Sequence, residues 1–418
     1  MIIERNTYLN QLIAGRHNGL VKVVTGMRRC GKSFLLSRLF GDYLLKEGIR
    51  QDHIIHIALD DKRNAQFRNP DHFLSYLDAS IQDNDMYYVI LDEVQMMEDF
   101  VEVMNSLLHM NNVDTYVTGS NSRFLSKDVV TEFRGRGDEI HMYPLSFAEF
   151  CSAYPGDKWA AWKEYYTYGG LPQILSLDNP KKKMVYLQNL METVYLSDIL
   201  ERHKVRNMNE LNELVEVVAS TIGSPTNPVK LSNTFMSLKN IKISNKTIAK
   251  YLSYLEDAFL VEKALRYNVK GRKYINTLSK YYFTDLGLRN AKLNFRQVEE
   301  THIMENIIYN ELLVRGYAVD TGVVEIRGKD SSGRFVRKQL EVDFVANSGN
   351  ERYYVQSALS MPTEEKKIQE TASFRNIDDS FKKIIIVRDD IMPYTDNNGY
   401  FIVGLLDFLL EPKTFTAL

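Results

Sequence analysis

The sequence predicts an α/β chain, with a buried parallel sheet first and smaller helical and mixed units after it. Three observations predict this. Gly26 to Ser33 reads GMRRCGKS, a full match to G-x-x-x-x-G-K-[ST], set between a β-branched run (Val21-Lys22-Val23-Val24-Thr25) and a helical pattern. Met86 to Gln95, MYYVILDEVQ, is an apolar run ending in two carboxylates, as expected of a strand buried on both faces. From Val229 the pattern turns to short helices and a hairpin, and from about Thr301 to a helix followed by a strand meander.

Taking the elements in order, the strand, glycine turn and helix start around Gly26 form a phosphate cradle. Backbone N–H groups of the turn and the helix dipole face a triphosphate. The predicted nucleotide-binding set is Gly26, Met27, Arg28, Arg29, Cys30, Gly31, Lys32, Ser33 and Phe34. Lys32 can reach the β- and γ-phosphates and the Ser33 hydroxyl can ligate Mg²⁺. Leu35, Leu36, Leu39, Phe40 and Leu44 give the following helix its apolar face. The expected cofactors are a nucleoside triphosphate, ATP or GTP, and Mg²⁺.

Asp92 closes the acidic strand beside that loop and is placed to hold Mg²⁺ through its water shell. Glu93 follows at once and points the other way along the pleat, where a general base could polarise a water for attack on the γ-phosphate. His53 to Asp61 is a further strand-like segment lying between the two motifs. A strand inserted between the P-loop strand and the acidic strand belongs to the P-loop branch (ASCE) that carries a catalytic Glu directly after the acid. Val113 to Ser122 reads as a strand breaking into a polar turn, which puts Ser120 and Asn121 within reach of the γ-phosphate or its attacking water. Arg134 and Arg136 in FRGRG are candidates for an arginine finger, in cis or from a neighbouring subunit, with Arg136 favoured.

Turns at Tyr154-Pro155-Gly156 and at Gly223 to Pro228 mark seams. The expected domains are a core at 1–155, a helical lid at 156–226, a winged helix at 227–300 and a C-terminal α/β domain at 301–418. In the third, a helix starting after the Ser244 N-cap presents Asn245, Lys246, Thr247 and Lys250, and a hairpin turns at Lys270-Gly271-Arg272-Lys273. These seven polar and basic side chains (Asn245, Lys246, Thr247, Lys250, Lys270, Arg272, Lys273) are candidate DNA contacts. Arg327, Lys329, Arg334, Arg337 and Lys338 make a second basic hairpin.

Bulk composition limits the function. At 418 residues and 44% hydrophobic content the chain can bury more than one core. A net charge of −2 with 25% charged residues gives no global polyanion signature, so nucleic-acid contact must come from local patches. Cys30 and Cys151 lie far apart, which suits a reducing cytosol and argues against disulfides. The start, MIIERNTYLN, is broken by charge and unlike a signal peptide, and the apolar stretch FIVGLLDFLL holds Asp407 and is too short to span a bilayer. A cytoplasmic protein without a membrane partner is expected.

With these segments in view, TGMRRCGKS, ILDEVQ, TGSNSRFLS, FRGRG and YPLSFAEF resemble the AAA-superfamily ATPases of bacteria and archaea that are fused to a restriction-endonuclease-like C-terminal domain. YGGLPQIL, YLSDILERH, ENIIYNELLVRGY and EVDFV are similar to the same family, in the same order along nearly the whole chain. The resemblance implies an AAA-type P-loop core, a lid, a winged helix and a nuclease-like α/β domain, with ATP as the nucleotide. The set Glu305, Asp343 and Gln356 resembles the PD-(D/E)xK nuclease core but departs from it. The last element reads Gln356-Ser357-Ala358, with an amide where the family has an acid and a methyl where it has the water-activating lysine. That implies a retained scaffold, unless a lysine from elsewhere, such as Lys366, takes the role. The expected function is Mg-ATP hydrolysis coupled to a conformational change, acting on DNA or a DNA-bound partner. The alternatives are a nucleotide-dependent switch that recruits protein partners and an ATP-gated nuclease. Expected partners are ATP and ADP, with DNA and a further copy of the chain as candidates.

Overall fold

A computed structural model describes residues 2–119, 135–205, 207–296, 299–329 and 335–411. The chain forms two compact units. One holds Met1–Leu145 with Leu171–Gln173 and Asp257–Phe259, and the other holds Ser146–Gly170, Ile174–Glu256 and Leu260–Leu418.

In the first unit, α1 (Asn6–Ala14) leads into β1 (Val21–Thr25), whose residues are all buried. After the glycine turn, α2 (Lys32–Phe34), a π-helical segment (Leu35–Phe40) and α3 (Gly41–Lys46) run on without a break. Then come β2 (Ile54–Ala58), α4 (Pro70–Ser80), β3 (Tyr87–Asp92), α5 (Phe100–Leu107), β4 (Val113–Thr118) and β5 (Gly137–His141). The sheet order is β2-β3-β4-β1-β5 and every pairing is parallel. Parallel strands need crossovers, and the helices supply them and cover the apolar sheet. Phe73 and Leu77 of α4 and Val103, Met104 and Leu107 of α5 pack with Ile57, Val89, Leu91 and Val117 of the sheet. Burial of each such side chain contributes roughly 1.5–3 kcal/mol.

One sequence expectation is corrected here. The strand at His53 to Asp61 lies between the two motifs in the chain but not in the sheet, where β2 is an edge and β4 separates β1 from β3. Burial explains the order. β4 is buried from its second residue on, whereas β2 exposes His56 between two inward isoleucines. A half-exposed strand suits an edge.

The second unit begins with helices: α6 (Phe147–Ala153), α7 (Lys158–Tyr168), α8 (Pro180–Asn189), α9 (Ser197–His203), α10 (Met208–Ser220), α11 (Pro228–Lys239) and α12 (Asn245–Asp257). Their starts are written in the sequence. Ser146 and Glu149 form a reciprocal capping box at α6. Asn179-Pro180 and Asn227-Pro228 open α8 and α11, as Asn69-Pro70 opens α4. In each, the Asn side chain accepts from the third residue's N–H, at 2.9, 2.8 and 3.1 Å, while Pro occupies a position whose N–H would have no partner.

Then follow β6 (Val261–Asn268), β7 (Lys273–Phe283), α13 (Leu286–Lys292), α14 (Glu300–Val314), β8 (Ala318–Lys329), β9 (Phe335–Ser348), β10 (Glu351–Ala358), α15 (Glu364–Glu370), β11 (Lys382–Val387), β12 (Tyr394–Thr395), β13 (Phe401–Gly404) and α16 (Leu405–Leu410). The strands make one mixed sheet, ordered β12-β13-β11-β10-β9-β8-β6-β7. The hairpin expected as the wing of a separate domain ending at residue 300 is thus part of the C-terminal sheet. β6 runs parallel to β8, with Asn268 opposite Val323. An exposed β6 edge would leave a row of unmade backbone hydrogen bonds, and pairing with β8 satisfies it.

Candidate functional site

Gly26 and Gly31 have positive φ, 133° and 106°, which the turn needs. A Cβ on Gly26 would sit 2.1 Å from the Met142 carbonyl oxygen, so only glycine lets the loop approach the segment after β5. Lys32 is buried and its Nζ donates to the Gly26 and Met27 carbonyls at 3.0 Å each, which holds the ammonium over the loop. Ser33 is exposed at the start of the helix.

Because β1, β3 and β4 are parallel, their carboxyl ends meet on one edge of the sheet. Thr118, the last residue of β4, lies across from Val24 of β1. Its hydroxyl donates to Asp92, the last residue of β3, and accepts from the Glu93 N–H at 2.9 Å. Glu93 itself adopts a left-handed conformation (φ 54°), and its carboxylate accepts from the Gln95 side chain. Asp92 is buried and makes no ion pair among the described residues. Lys32, Ser33, Asp92 and Glu93 are therefore brought to the same edge.

Three participants gave no signal in the sequence. Arg5 donates to the carbonyls of Cys30 (3.1 Å), Tyr143 (2.8 Å) and Pro144 (3.4 Å), tying the P-loop to the chain beyond β5. Thr118 links Asp92 to Glu93. His141, at the end of β5, is 2.9 Å from the Thr25 hydroxyl through Nδ1. Burial, and then the nearby Lys32 ammonium, push His141 down to about 4, so it is neutral near pH 7.

Arg136 does not join this edge within its own chain. Its carbonyl accepts from the Val21 N–H at 3.0 Å, and Gly137 pairs with Val21, the first residue of β1. Thr25, where the P-loop begins, lies about 13 Å further along the strand. Parallel pairing thus puts Arg136 at the amino ends of the strands, away from the loop. Ser120, Asn121 and Arg134 lie outside the described residues.

A second cluster forms in the C-terminal sheet. Glu305 on α14, Asp343 on β9 and Gln356 on β10 come together, as the resemblance implied. Gln356 Nε2 and the Ser357 N–H donate to Asp343 Oδ2 at 2.9 and 2.8 Å. Gln356 Oε1 is buried without a partner. Lys280 of β7 enters from across the sheet, with Nζ 2.8 Å from Glu305 and 2.7 Å from Glu341. Tyr282 also donates to Glu305, at 2.5 Å. Burial works against the Lys280 charge, but Glu305, Asp343 and Glu341 outweigh it and raise its pKa. Burial, then Glu305, push Asp343 above the usual carboxylate range, while Lys280 pulls it back. Lys366, named above as an example of a lysine that could take the role, is half-exposed and pairs with Glu370 along α15.

Of the candidate DNA contacts, Asn245, Lys246 and Lys250 are exposed on α12, whereas Thr247 is engaged in the Ser244 cap at 2.8 Å. Lys270, Arg272 and Lys273 are exposed in a tight turn that the Asn268 side chain closes by accepting from the Gly271 N–H at 2.7 Å. Arg334 and the Lys329 side chain lie outside the described residues. Among the described residues no helix is long and apolar enough to cross a membrane.

Comparison with known proteins places these features. A profile described as an AAA domain matches residues 18–151, and one described as a domain of unknown function (DUF8612) matches residues 160–299; neither description mentions a nuclease. An uncharacterized protein of Haemophilus influenzae is 33% identical over 416 residues, spanning 98% of this chain and 99% of the relative. An uncharacterized protein of Methanocaldococcus jannaschii is 25% identical over 390 residues, 88% of this chain and 82% of that one. Among solved structures, a Walker-type ATPase of Pyrococcus abyssi matches with TM-score 0.49 at 15% identity, over 70% of this chain and 96% of that one. The Aeropyrum pernix ORC1 protein, solved in complex with DNA, matches with TM-score 0.33 at 12% identity, over 70% and 93%. No residue role follows from either structure.

Proposed function

Because this chain belongs to the family of its Haemophilus influenzae relative and carries an AAA domain over residues 18–151, we propose that it binds ATP and hydrolyses it with Mg²⁺. The observation that carries the proposal is the edge where β1, β3 and β4 end, with Lys32 and Ser33 on one side and Asp92 and Glu93, joined by Thr118, on the other. Asp92 is a buried carboxylate without a cationic partner among the described residues, and with the Ser33 hydroxyl it offers the oxygen donors a small hard cation takes. These residues fit Mg²⁺, which when bound supplies positive charge to the phosphate oxygens. Lys32 neutralises charge on the β- and γ-phosphates. Glu93 takes a proton from the attacking water as its oxygen bonds to the γ-phosphorus, and the bond from that phosphorus to the ADP oxygen breaks.

Two variants test the assignment. Glu93→Gln keeps shape and loses the base, so ATP should still bind while phosphate release falls by about 10² or more. Lys32→Ala should lose binding and turnover together. Native turnover in Glu93→Gln would remove Glu93 from the role.

In the finer reading, turnover drives a conformational change through which the chain acts on DNA. The exposed basic turn at Lys270, Arg272 and Lys273 supports it. Lys280 favours a second reading, metal-assisted cleavage of a phosphodiester in the C-terminal sheet. It brings to Glu305 and Asp343 the cation that Ala358 lacks, beside the unpartnered Gln356 oxygen. DNA cutting under Mg²⁺ or Mn²⁺ that disappears in Asp343→Ala would establish it, and intact DNA in both proteins would rule it out.

A further inference from the structure

The basic turn after β6 and the basic strand pair of β8 and β9, some 55 residues further along the sequence, meet in the fold. Lys270 and Lys273 line an open groove of about 490 Å³ together with Arg327 of β8 and Arg337 of β9, with Asn268, Gly271, Glu325 and Ile326 completing it. Register explains the meeting. β9, β8, β6 and β7 are adjacent in that order, and β6 and β8 run parallel up to the Asn268–Val323 pair, which brings the turn after β6 level with the part of β8 beyond Val323. With neighbouring strands about 4.8 Å apart, the cations form a row about 14 Å wide.

This row is electrostatically costly to the protein alone. Arg327 and Arg337 face each other directly in the antiparallel pair, and like charges so placed destabilise a sheet. Glu325 is the acid of the groove, and it accepts from Gln339 at 3.4 Å. None of the four cations makes an ion pair among the described residues, so their charge is available to a ligand. The groove also has a direction. Arg337, Gln339, Glu341 and Asp343 alternate along β9 on one face, so the row and the Lys280 cluster share that face about 20 Å apart.

We propose that this groove grips the phosphate backbone of double-stranded DNA. The proposal deepens, and rests on, the reading that the chain acts on DNA. Single-strand sites combine cations with aromatic faces on which bases stack, and among the described residues the lining here has no aromatic ring. Backbone contacts carry no base information, so binding is independent of sequence.

The test is fluorescence anisotropy of the full chain with short labelled duplexes of two unrelated sequences, across a salt series. Four phosphate contacts give a slope of log K against log salt of about −3.6, and Arg327→Gln with Arg337→Gln brings it to about −1.8. At about 0.15 M salt the double variant should bind about thirtyfold more weakly, with unchanged ATP turnover and tryptophan fluorescence as proof of folding. The Lys270→Gln, Lys273→Gln pair should do the same. If the native chain binds duplex but both pairs keep its affinity and slope, the groove is wrong and the DNA reading survives. A native chain that binds no duplex sinks both. Preference for single strands, equal binding of polyglutamate, or displacement by stoichiometric inorganic triphosphate would each overturn the duplex assignment, pointing to a single strand, an acidic protein or a small anion.

Discussion

Replacing Lys280 with methionine removes one charge from an enclosed ionic cluster while keeping the length of the side chain. The Lys280 side chain is 3% exposed and Glu305 10%, so their 2.8 Å contact is shielded from water; Glu341, at 35%, is not. The Glu341 contact is worth little. Breaking the Glu305 contact strands a buried carboxylate next to Asp343, and removing one partner of a buried pair costs about 3–5 kcal/mol. The loss depends on pH in a defined direction. Asp343 already lies above the usual carboxylate range because of burial and Glu305, and Lys280 holds it down. Without Lys280 it rises further, so the folded variant holds a proton that the unfolded chain releases. Stability linked to that proton is complete below the unfolded value near 4 and is lost as pH rises through the folded one. The native protein follows the same course up to its own Asp343 value of about 8, so the deficit should shrink as pH falls from the variant's higher value to that one, by up to about 1.4 kcal/mol per pH unit. Trp159 and Trp162, the two tryptophans of the chain, both lie on α7 in this unit, so urea unfolding followed by tryptophan fluorescence reads it selectively. Unfolding curves at about pH 9.5 and about pH 7, on either side of the window above the native Asp343 value, decide the matter. A loss under about 1 kcal/mol, or the same loss at both pH values, would refute the charge argument.

His141 is neutral in the fold, with its pKa lowered to about 4, so the stability it supports is present above the unfolded value near 6.5 and drains away as pH falls toward 4. Binding of a fluorescent ATP analogue should weaken over that window, and His141→Asn should flatten the profile; an unchanged profile would assign it to another group. Arg5→Ala removes the donor to three carbonyls and should cost about 2–3 kcal/mol, with weaker ATP binding as the P-loop loosens. Native melting temperature and Kd in that variant would show the clamp to be idle. Arg136, at the far end of its own strands, can serve a nucleotide only in another copy of the chain. Mixing Arg136→Ala with Glu93→Gln protein should then restore some turnover, and a chain that stays monomeric in every nucleotide state would exclude this.

The nucleotide edge was legible because each part is local. Gly26, Lys32 and Ser33 lie within one turn, Asp92 and Glu93 end one apolar run, and a strand followed by a glycine turn and a helix has few alternatives. The helix starts at Asn69-Pro70, Asn179-Pro180 and Asn227-Pro228 were equally available to inspection, since a cap involves residues three apart. Glu305, Asp343 and Gln356 could be grouped only through a resemblance to a known core, and they do meet. Their cation could not be read at all, because Lys280 arrives from a strand more than sixty residues before Asp343.

What the sequence by itself determined, then, is the chemistry carried on single segments: a phosphate loop, a terminal acid pair, capped helices and two basic turns. The tertiary structure alone decided which segments become neighbours. It set β4 rather than β2 beside β1, sent Arg136 to the wrong end for its own nucleotide, joined the hairpin of β6 and β7 to the C-terminal sheet, and so brought Lys280 to Glu305 and Lys270 to Arg327. The physical reason is that strand pairing is non-local. Backbone hydrogen bonds between strands are nearly indifferent to side chains, so order and register follow from which faces must be buried together, and that is a property of the assembled sheet.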